Sequence, residues 1–251
     1  MSISNNNIMN EKQLYVSRYG IDSPNESYMV TDSILQIIKP KSIYKFTGQS
    51  LIETHHFPDE PQYIEISGLW CDPEEVSNPT NILGGIGLLK TFGEINIPIN
   101  LGSKTNYDFF NCRTIYPDEE FVLDCEKSMG IFSMQIGPKY VQNYVMNKNL
   151  ANGVYLEYHN TPHLYIKTNK NASGYLILGK KLLNGNLILS ALTVPDNVAI
   201  YLPPNLIHND CFLIGDYKVM YNFAETFSTV RLVDKTNTNN MTKVNLINLL
   251  I

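Results

Sequence analysis

From residue 43 onward the sequence is a series of short apolar or alternating runs, and Gly, Pro, Asn or Asp separates each run from the next. Examples are "QYIEISGLW", "GYLILGKKL" and "NLILSALTVP". Such runs, rich in Ile, Leu, Val and Tyr, predict β-strands joined by turns. Strands that recur roughly every 8–12 residues favour a sandwich or a barrel. We therefore predict a mainly β protein with one or two short helices.

The pattern also divides the chain into four parts. Residues 1–12 are Asn-rich and predicted to be disordered. Residues 13–120 form an N-terminal β-rich region, which is either an extension of the main barrel or a second, degenerate barrel. Residues 121–235 contain the most regular succession of strands and form the predicted barrel. Residues 236–251 are a C-terminal tail that packs on the body as a short helix or strand, or contacts another copy.

One N-terminal segment, "NESYMVTDSILQIIKP" (25–40), has apolar residues at helical spacing. These residues are Met29, Val30, Ile34, Ile37 and Ile38. Asp32 or Ser33 can cap such a helix, and Pro40 ends it. The segment therefore predicts a short helix ahead of the strands.

Charge and composition exclude several classes of function. The formal net charge of -5 gives no basic surface for nucleic acid. The polar N-terminus does not look like a signal peptide, and no apolar run is long enough for a transmembrane helix. The four cysteines are widely spaced, without a metal-type pair, which favours reduced, buried thiols in a cytoplasmic protein.

The histidines carry the chemical signal, because three of the five fall in the predicted barrel. Glu157 and His159 would share one face of a strand, since side chains alternate with a period of two. His163 follows a Pro-containing bend that can turn it back to that face. His208 follows a rigid Pro-Pro corner in "YLPPNLIHND". The simpler interpretations are strand-end or loop histidines and a solvent-facing or orienting Glu157.

This order of residues resembles the cupin superfamily, whose members fold as a small double-stranded β-helix or jelly roll. The second cupin motif is matched by the turn at Asp196, the prolines of "YLPPNLIHND" and His208. In the first motif, Gly153 and His159 have the family spacing. The second histidine is displaced to His163, and the glutamate expected downstream is missing. The resemblance implies a cupin-like jelly-roll barrel in residues 121–235, and a homodimer.

The resemblance further implies a divalent metal ion, since imidazoles and a carboxylate on neighbouring barrel strands suit Fe, Mn, Ni or Zn. The implied ligands are Glu157, His159, His163 and His208. Tyr165 and Tyr201 would position a substrate or move a proton. We expect a metal-dependent enzyme of isomerase, oxygenase or lyase type acting on a small polar molecule, such as a sugar or an organic acid.

Two alternatives stay open at this point. In the first, the protein is a non-catalytic ligand-binding or structural cupin whose metal site has decayed, because the first motif is incomplete. In the second, it is a metal-free sugar epimerase with His159 or His163 as base and a tyrosine as acid. The candidate tyrosines are Tyr155, Tyr158, Tyr165 and Tyr201. A second polar cluster, "ETHHFPDEP" (53–61), is interpreted as a loop that can cover the barrel mouth.

Overall fold

The fold is taken from a computed structural model of the full chain. The structure describes residues 34–38, 43–45, 60–72, 79–81, 84–122, 129–221, 224 and 226–248. Within these ranges nearly all regular structure is β-strand, which confirms the prediction of a mainly β protein.

The strands of the N-terminal part are short. They are β1 (Ile34–Ile38), β2 (Ile43–Lys45), β3 (Ile64–Ile66), β4 (Gly68–Cys71), β5 (Pro79–Asn81), β6 (Gly84–Gly85), β7 (Gly87–Thr91), β8 (Ile95–Asn100), β9 (Arg113–Ile115) and β10 (Glu120–Val122). A short helix, α1 (Lys104–Phe109), lies between β8 and β9. Its N-cap is Ser103, whose side-chain oxygen accepts a hydrogen bond from the backbone N–H of Asn106.

The strands of the C-terminal part are longer. They are β11 (Met129–Ile136), β12 (Tyr155–His159), β13 (His163–Lys167), β14 (Ser173–Lys181), β15 (Leu187–Thr193), β16 (Ala199–Leu202), β17 (Ile207–Tyr221), β18 (Phe227–Asp234) and β19 (Val244–Ile247). One π-helical turn, Val141–Val145, joins β11 to β12.

The fifteen-residue strand β17 organises this part because it belongs to two groups of strands. Its first half pairs with β14 and β12 in the order β15-β14-β17-β12-β18. Its second half pairs with β11 and β13, and β16 lies beyond β13. The change of partners occurs at Gly215, where φ is +94° and a Cβ atom would lie 2.8 Å from Cα of Ala172. A glycine is therefore required where β17 passes from one group to the other.

Most of the remaining strands extend these two groups, while β2 with β10 and β5 with β6 form separate two-stranded sheets. In the first group, β7 lies parallel to β18, and β4 lies beyond β7, while β3 and β8 pair with β15. In the second group, β1 pairs with β11, and β9 pairs with β16. The C-terminal strand β19 lies parallel to β8.

Within the described residues, β13 lies between two hydrophobic clusters. Tyr165 belongs to the main cluster, whereas its neighbour Leu164 belongs to a smaller cluster with Met129, Ile131 and Met220. Successive side chains of β13 thus point to opposite faces of its sheet. This alternation decides which residues of β13 and its partner β16 can reach the histidines.

The predicted helix over residues 25–40 is wrong for the part that the structure describes. Residues 34–38 form β1, which pairs antiparallel with β11. The run "ILQII" satisfies helical spacing, but it is short and rich in β-branched Ile, and pairing with a long neighbouring strand decides between the two. Residues 25–33 and the first part of the polar segment, 53–59, lie outside the described residues.

Two further predictions concern the cysteines and the membrane. Cys71, Cys112 and Cys211 are buried free thiols, as predicted, and Cys125 lies outside the described residues. Burial raises the pKa of the Cys112 thiol well above its usual range, which leaves it protonated. Among the residues described, neither helix has the length and hydrophobicity that a membrane span requires.

Candidate metal centre

Three histidines meet where β12 ends and where β13 and β17 begin. His159 is the last residue of β12, His163 is the first of β13, and His208 is the second of β17. The exposed fractions of these three residues are only 4%, 5% and 2%. A three-residue turn joins β12 to β13, and it returns His163 to the side of His159.

The Pro-Pro corner before β17 is hydrogen-bonded to the end of β12. The backbone N–H of Asn205 donates to the carbonyl oxygen of His159 at 2.7 Å. Asn205 has a φ of +65°, in the left-handed region that Asn tolerates better than most residues. This bond holds the segment after Pro203 and Pro204 against the end of β12, and it brings His208 beside His159.

The three rings form a compact cluster. The ring centroids are 4.3 Å apart for His159 and His163, 5.0 Å for His159 and His208, and 4.9 Å for His163 and His208. Each residue offers one ring nitrogen such that all three nitrogens lie within 4.8 Å of one another. This buried cluster could hold a metal ion.

The hydrogen bonds of two of the histidines fix the position of their protons. Nδ1 of His159 lies 2.7 Å from the carbonyl oxygen of Thr161, and Nδ1 of His208 lies 2.9 Å from that of Leu206. A carbonyl only accepts, so each Nδ1 carries the proton and donates it. Each Nε2 then has a lone pair. Both Nε2 atoms are buried and have no hydrogen-bond partner in the structure.

The third histidine has a different partner. Nδ1 of His163 lies 3.0 Å from the hydroxyl oxygen of Tyr165, and the Tyr165 hydroxyl donates to Oδ2 of Asp210 at 3.2 Å. All three residues are buried. Each of the three histidines therefore has its Nδ1 occupied by a partner outside the cluster, which is how protein groups orient imidazole ligands of metals.

Burial keeps the His159 ring neutral. It lowers the pKa of His159 from 6.5 to about 3, and the neighbouring His208 lowers it further in the same direction. The neutral imidazole is the form that binds a metal ion. The ring of His159 is therefore ready to act as a ligand at neutral pH without first losing a proton.

Glu157 lies at the edge of this cluster. It is directly opposite His208 in the pairing of β12 with β17, so the two side chains share a face of the sheet. Its Oε1 is 3.6 Å from Nε2 of His208, and Thr229 donates to its Oε2 at 3.5 Å. The group with ligand atoms within 4.8 Å of one another consists of the three histidines, and Glu157 is outside it.

The two predicted catalytic tyrosines have very different positions. Tyr165 is fully buried, and its hydroxyl contacts Nδ1 of His163. Tyr201 pairs with Leu164, so it lies on the other face of the sheet and packs against the smaller hydrophobic cluster. The structure therefore brings Tyr165 to the histidines, and it does not bring Tyr201 there.

An irregularity in β17 gives Asp210 its position. Tyr175 pairs with Phe212, and Ile177 pairs with Asn209, so two residues of β17 stand opposite a single residue of β14. This is a β-bulge, a feature that redirects side chains and is common beside functional sites. The Asn209 side chain supports it, because its Oδ1 accepts from the N–H of Cys211 and its Nδ2 donates to the carbonyl oxygen of Tyr155.

Some residues around the cluster had no signal in the sequence. The carbonyl oxygens of Thr161 and Leu206 act through the backbone, so their residue type predicts nothing. Thr229 reaches Glu157 from β18, which is 72 residues further along the chain. Thr161 also lies two residues after His159 in the sequence, and its hydroxyl oxygen is 3.1 Å from Nδ1 of His159.

Comparisons with protein-family models, with curated proteins and with solved structures find no match to this chain.

Proposed function

We propose that this protein is a metal-dependent enzyme of the cupin type, which acts on a small polar molecule such as a sugar or an organic acid. The observation that carries the proposal is the buried cluster of His159, His163 and His208, in which two ring nitrogens have no hydrogen-bond partner. A buried polar atom without a hydrogen bond costs about 1–3 kcal/mol, and a metal ion is the partner that a buried cluster of three imidazoles suits best.

The strand pairing supports the cupin-like part of the proposal. The strands from β11 to β18 number eight, as in a jelly roll. One set is β11-β17-β13-β16, and the other is β15-β14-β17-β12-β18, with β17 in both. The histidines come from both sets, which fits a site inside a barrel where the two sets converge.

The three histidines would hold the ion, which is Fe, Mn, Ni or Zn, and Glu157 would be a fourth ligand or remain beside it as a base. Such an ion supplies Lewis acidity to a substrate oxygen or to water, or redox chemistry with O₂ if it is iron. The chain itself keeps bulk water from the imidazoles by burying all three. Glu157 is half-buried, so its carboxylate can hold or move a proton at the edge of the site.

The test is the metal content of untagged protein, measured by mass spectrometry, in the parent and in the variants His163→Ala and His208→Ala. We expect about one metal ion per chain in the parent and none in either variant. Leu213→Ala is the matched control, because Leu213 is fully buried on the same strand as His208 but offers no ligand atom. Absence of stoichiometric metal from the parent, even after incubation with Fe, Mn, Ni and Zn, would sink the proposal.

Turnover is tested next, with the metal-loaded parent and a panel of sugars and organic acids. We expect isomerisation, cleavage or oxygen consumption with at least one compound, and loss of it in Glu157→Gln. Stoichiometric metal without turnover of any compound would favour a non-catalytic metal-binding protein over an enzyme. We expect the protein to act without nucleic acid or membrane, as a homodimer in the cytoplasm.

A further inference from the structure

A chain of hydrogen bonds starts at Nδ1 of His163 and runs through Tyr165 to Asp210. We infer that Tyr165 and Asp210 are positioning residues, which hold the His163 ring in the tautomer and orientation that present Nε2 to the metal. This inference rests on the proposed function. In this inference Tyr165 orients the ligand His163 and does not contact the substrate.

The direction of the chain follows from counting protons. A tyrosine hydroxyl has one proton, and that of Tyr165 goes to Oδ2 of Asp210. The hydroxyl oxygen can then only accept from His163, so Nδ1 of His163 carries the proton. Nε2 is left with the lone pair that a metal requires. Nδ1 also carries the proton at His159 and His208, where it donates to a backbone carbonyl oxygen.

Burial makes this chain stronger than a surface contact. The exposed fractions are 5% for His163, 0% for Tyr165 and 6% for Asp210. Little water competes for these groups, and a low local dielectric strengthens hydrogen bonds to a carboxylate. A carboxylate that acts through a hydroxyl also draws the Nδ1 proton toward it, which increases the basicity of Nε2.

The β-bulge connects this chain to the fold. The register of β17 is interrupted between Asn209 and Phe212, and Asp210 lies in the interruption. Tyr165 stands two residues after His163 on β13, so both side chains lie on the same face of the sheet. The bulge therefore places a carboxylate at a hydroxyl that can transmit its effect to His163.

The experiment measures the Co²⁺ dissociation constant and the visible absorption spectrum of Co²⁺ in the parent, Tyr165→Phe, Asp210→Asn and the double variant. Loss of a residue that orients a metal ligand weakens metal binding by about 10–100-fold. We expect a change of that size, with a shifted spectrum, in Tyr165→Phe and a smaller change in Asp210→Asn. Because Asp210 acts through Tyr165, the double variant should bind no more weakly than Tyr165→Phe alone.

Tyr217→Phe is the matched control. Tyr217 is also fully buried, and its hydroxyl donates one hydrogen bond to the carbonyl oxygen of Ser173, away from the histidines. The control should lose stability and keep the parent spectrum. Tyr165→Phe alone leaves the buried Asp210 carboxylate without the Tyr165 hydroxyl. The double variant also removes that charge, so it can be measured if Tyr165→Phe folds poorly.

A parent-like dissociation constant and spectrum in Tyr165→Phe would overturn the inference while leaving the metal proposal intact. If the parent binds no metal, the proposed function fails, and the tautomer of His163 decides the inference separately. Nitrogen NMR of the metal-free parent should show a proton on Nδ1 of His163 and a mixture of tautomers in Tyr165→Phe. An unchanged tautomer would overturn the positioning role.

Discussion

Two regions of this molecule are almost completely buried, but they differ in whether their buried atoms need hydrogen bonds. The apolar region is formed by β14 and β15, and six of its apolar residues are 0% exposed. They are Leu176, Ile177, Leu178, Leu189, Ala191 and Leu192. The histidine region consists of His159, His163 and His208, which are hardly more exposed. The apolar side chains of the first region need no hydrogen bonds, whereas the second region leaves two ring nitrogens without a hydrogen-bond partner.

The two regions therefore contribute to the free energy of unfolding with opposite signs. Burial of a leucine side chain contributes about 1.5–3 kcal/mol. A buried nitrogen without a partner costs a similar amount. The apolar region therefore stabilises the chain whether or not anything binds. The histidine region weakens the metal-free chain, and under the proposed function a bound ion offsets that cost.

The largest expected effect on stability lies in the apolar region. Leu189→Ala removes a fully buried side chain that packs directly on Gly179 of the neighbouring strand. The free energy of unfolding should fall by about 2–5 kcal/mol, because the lost burial and the cavity both count. Urea unfolding measures this change. Metal content should stay at the level of the parent, and a loss of metal in a folded Leu189→Ala protein would show that the two regions are not independent.

A smaller effect is expected from pH, and it belongs to the histidine region. The pKa of His159 is about 3 in the folded protein and 6.5 without burial. Between these values the unfolded chain binds a proton that the folded chain does not, so stability is complete above pH 6.5 and falls as the pH falls toward 3. The slope is at most about 1.4 kcal/mol per pH unit. Urea unfolding of chelator-treated protein at pH 7, 6 and 5 measures it.

The control for this prediction is His159→Leu, which has a similar volume and no titrating group. Its stability should depend less on pH by the slope of one proton, and at pH 7 it should differ from the metal-free parent by about 1 kcal/mol or less, since an unsatisfied nitrogen is lost together with one hydrogen bond. A loss at pH 7 as large as that of Leu189→Ala would mean that the histidines belong to the structural core.

The sequence predicted the strands well and the N-terminal helix badly, for one physical reason. β14 and β15 are long apolar runs between turn residues, and their local pattern agrees with their surroundings. The run at residues 34–38 fits a helix and a strand equally well. Its state is decided by β11, which follows it by almost a hundred residues. Local periodicity carries no information about such a partner.

The same limit applies to the candidate site. Alternation along β12 placed Glu157 and His159 on one face, and the Pro-Pro corner indicated that His208 was aimed inward. The pairing of Glu157 with His208 agrees with both. The role of Tyr165 depends on the bulge at Asp210, and a bulge is a property of two paired strands. The separation of Tyr201 from the cluster likewise depends on its pairing with Leu164.

The smallest expected effect concerns Tyr201, which sharpens the comparison because it differs from Tyr165 mainly in the face of the sheet that it occupies. Tyr165 packs in the main hydrophobic cluster beside His163, whereas Tyr201 packs against the smaller cluster on the other side of β13. The sheet therefore separates the Tyr201 side chain from the three histidines. Tyr201→Phe should leave the Co²⁺ dissociation constant and spectrum within error of the parent, and it should leave turnover unchanged. A tenfold loss of metal affinity in Tyr201→Phe, with none in Tyr165→Phe, would reverse the roles assigned to the two faces of this sheet.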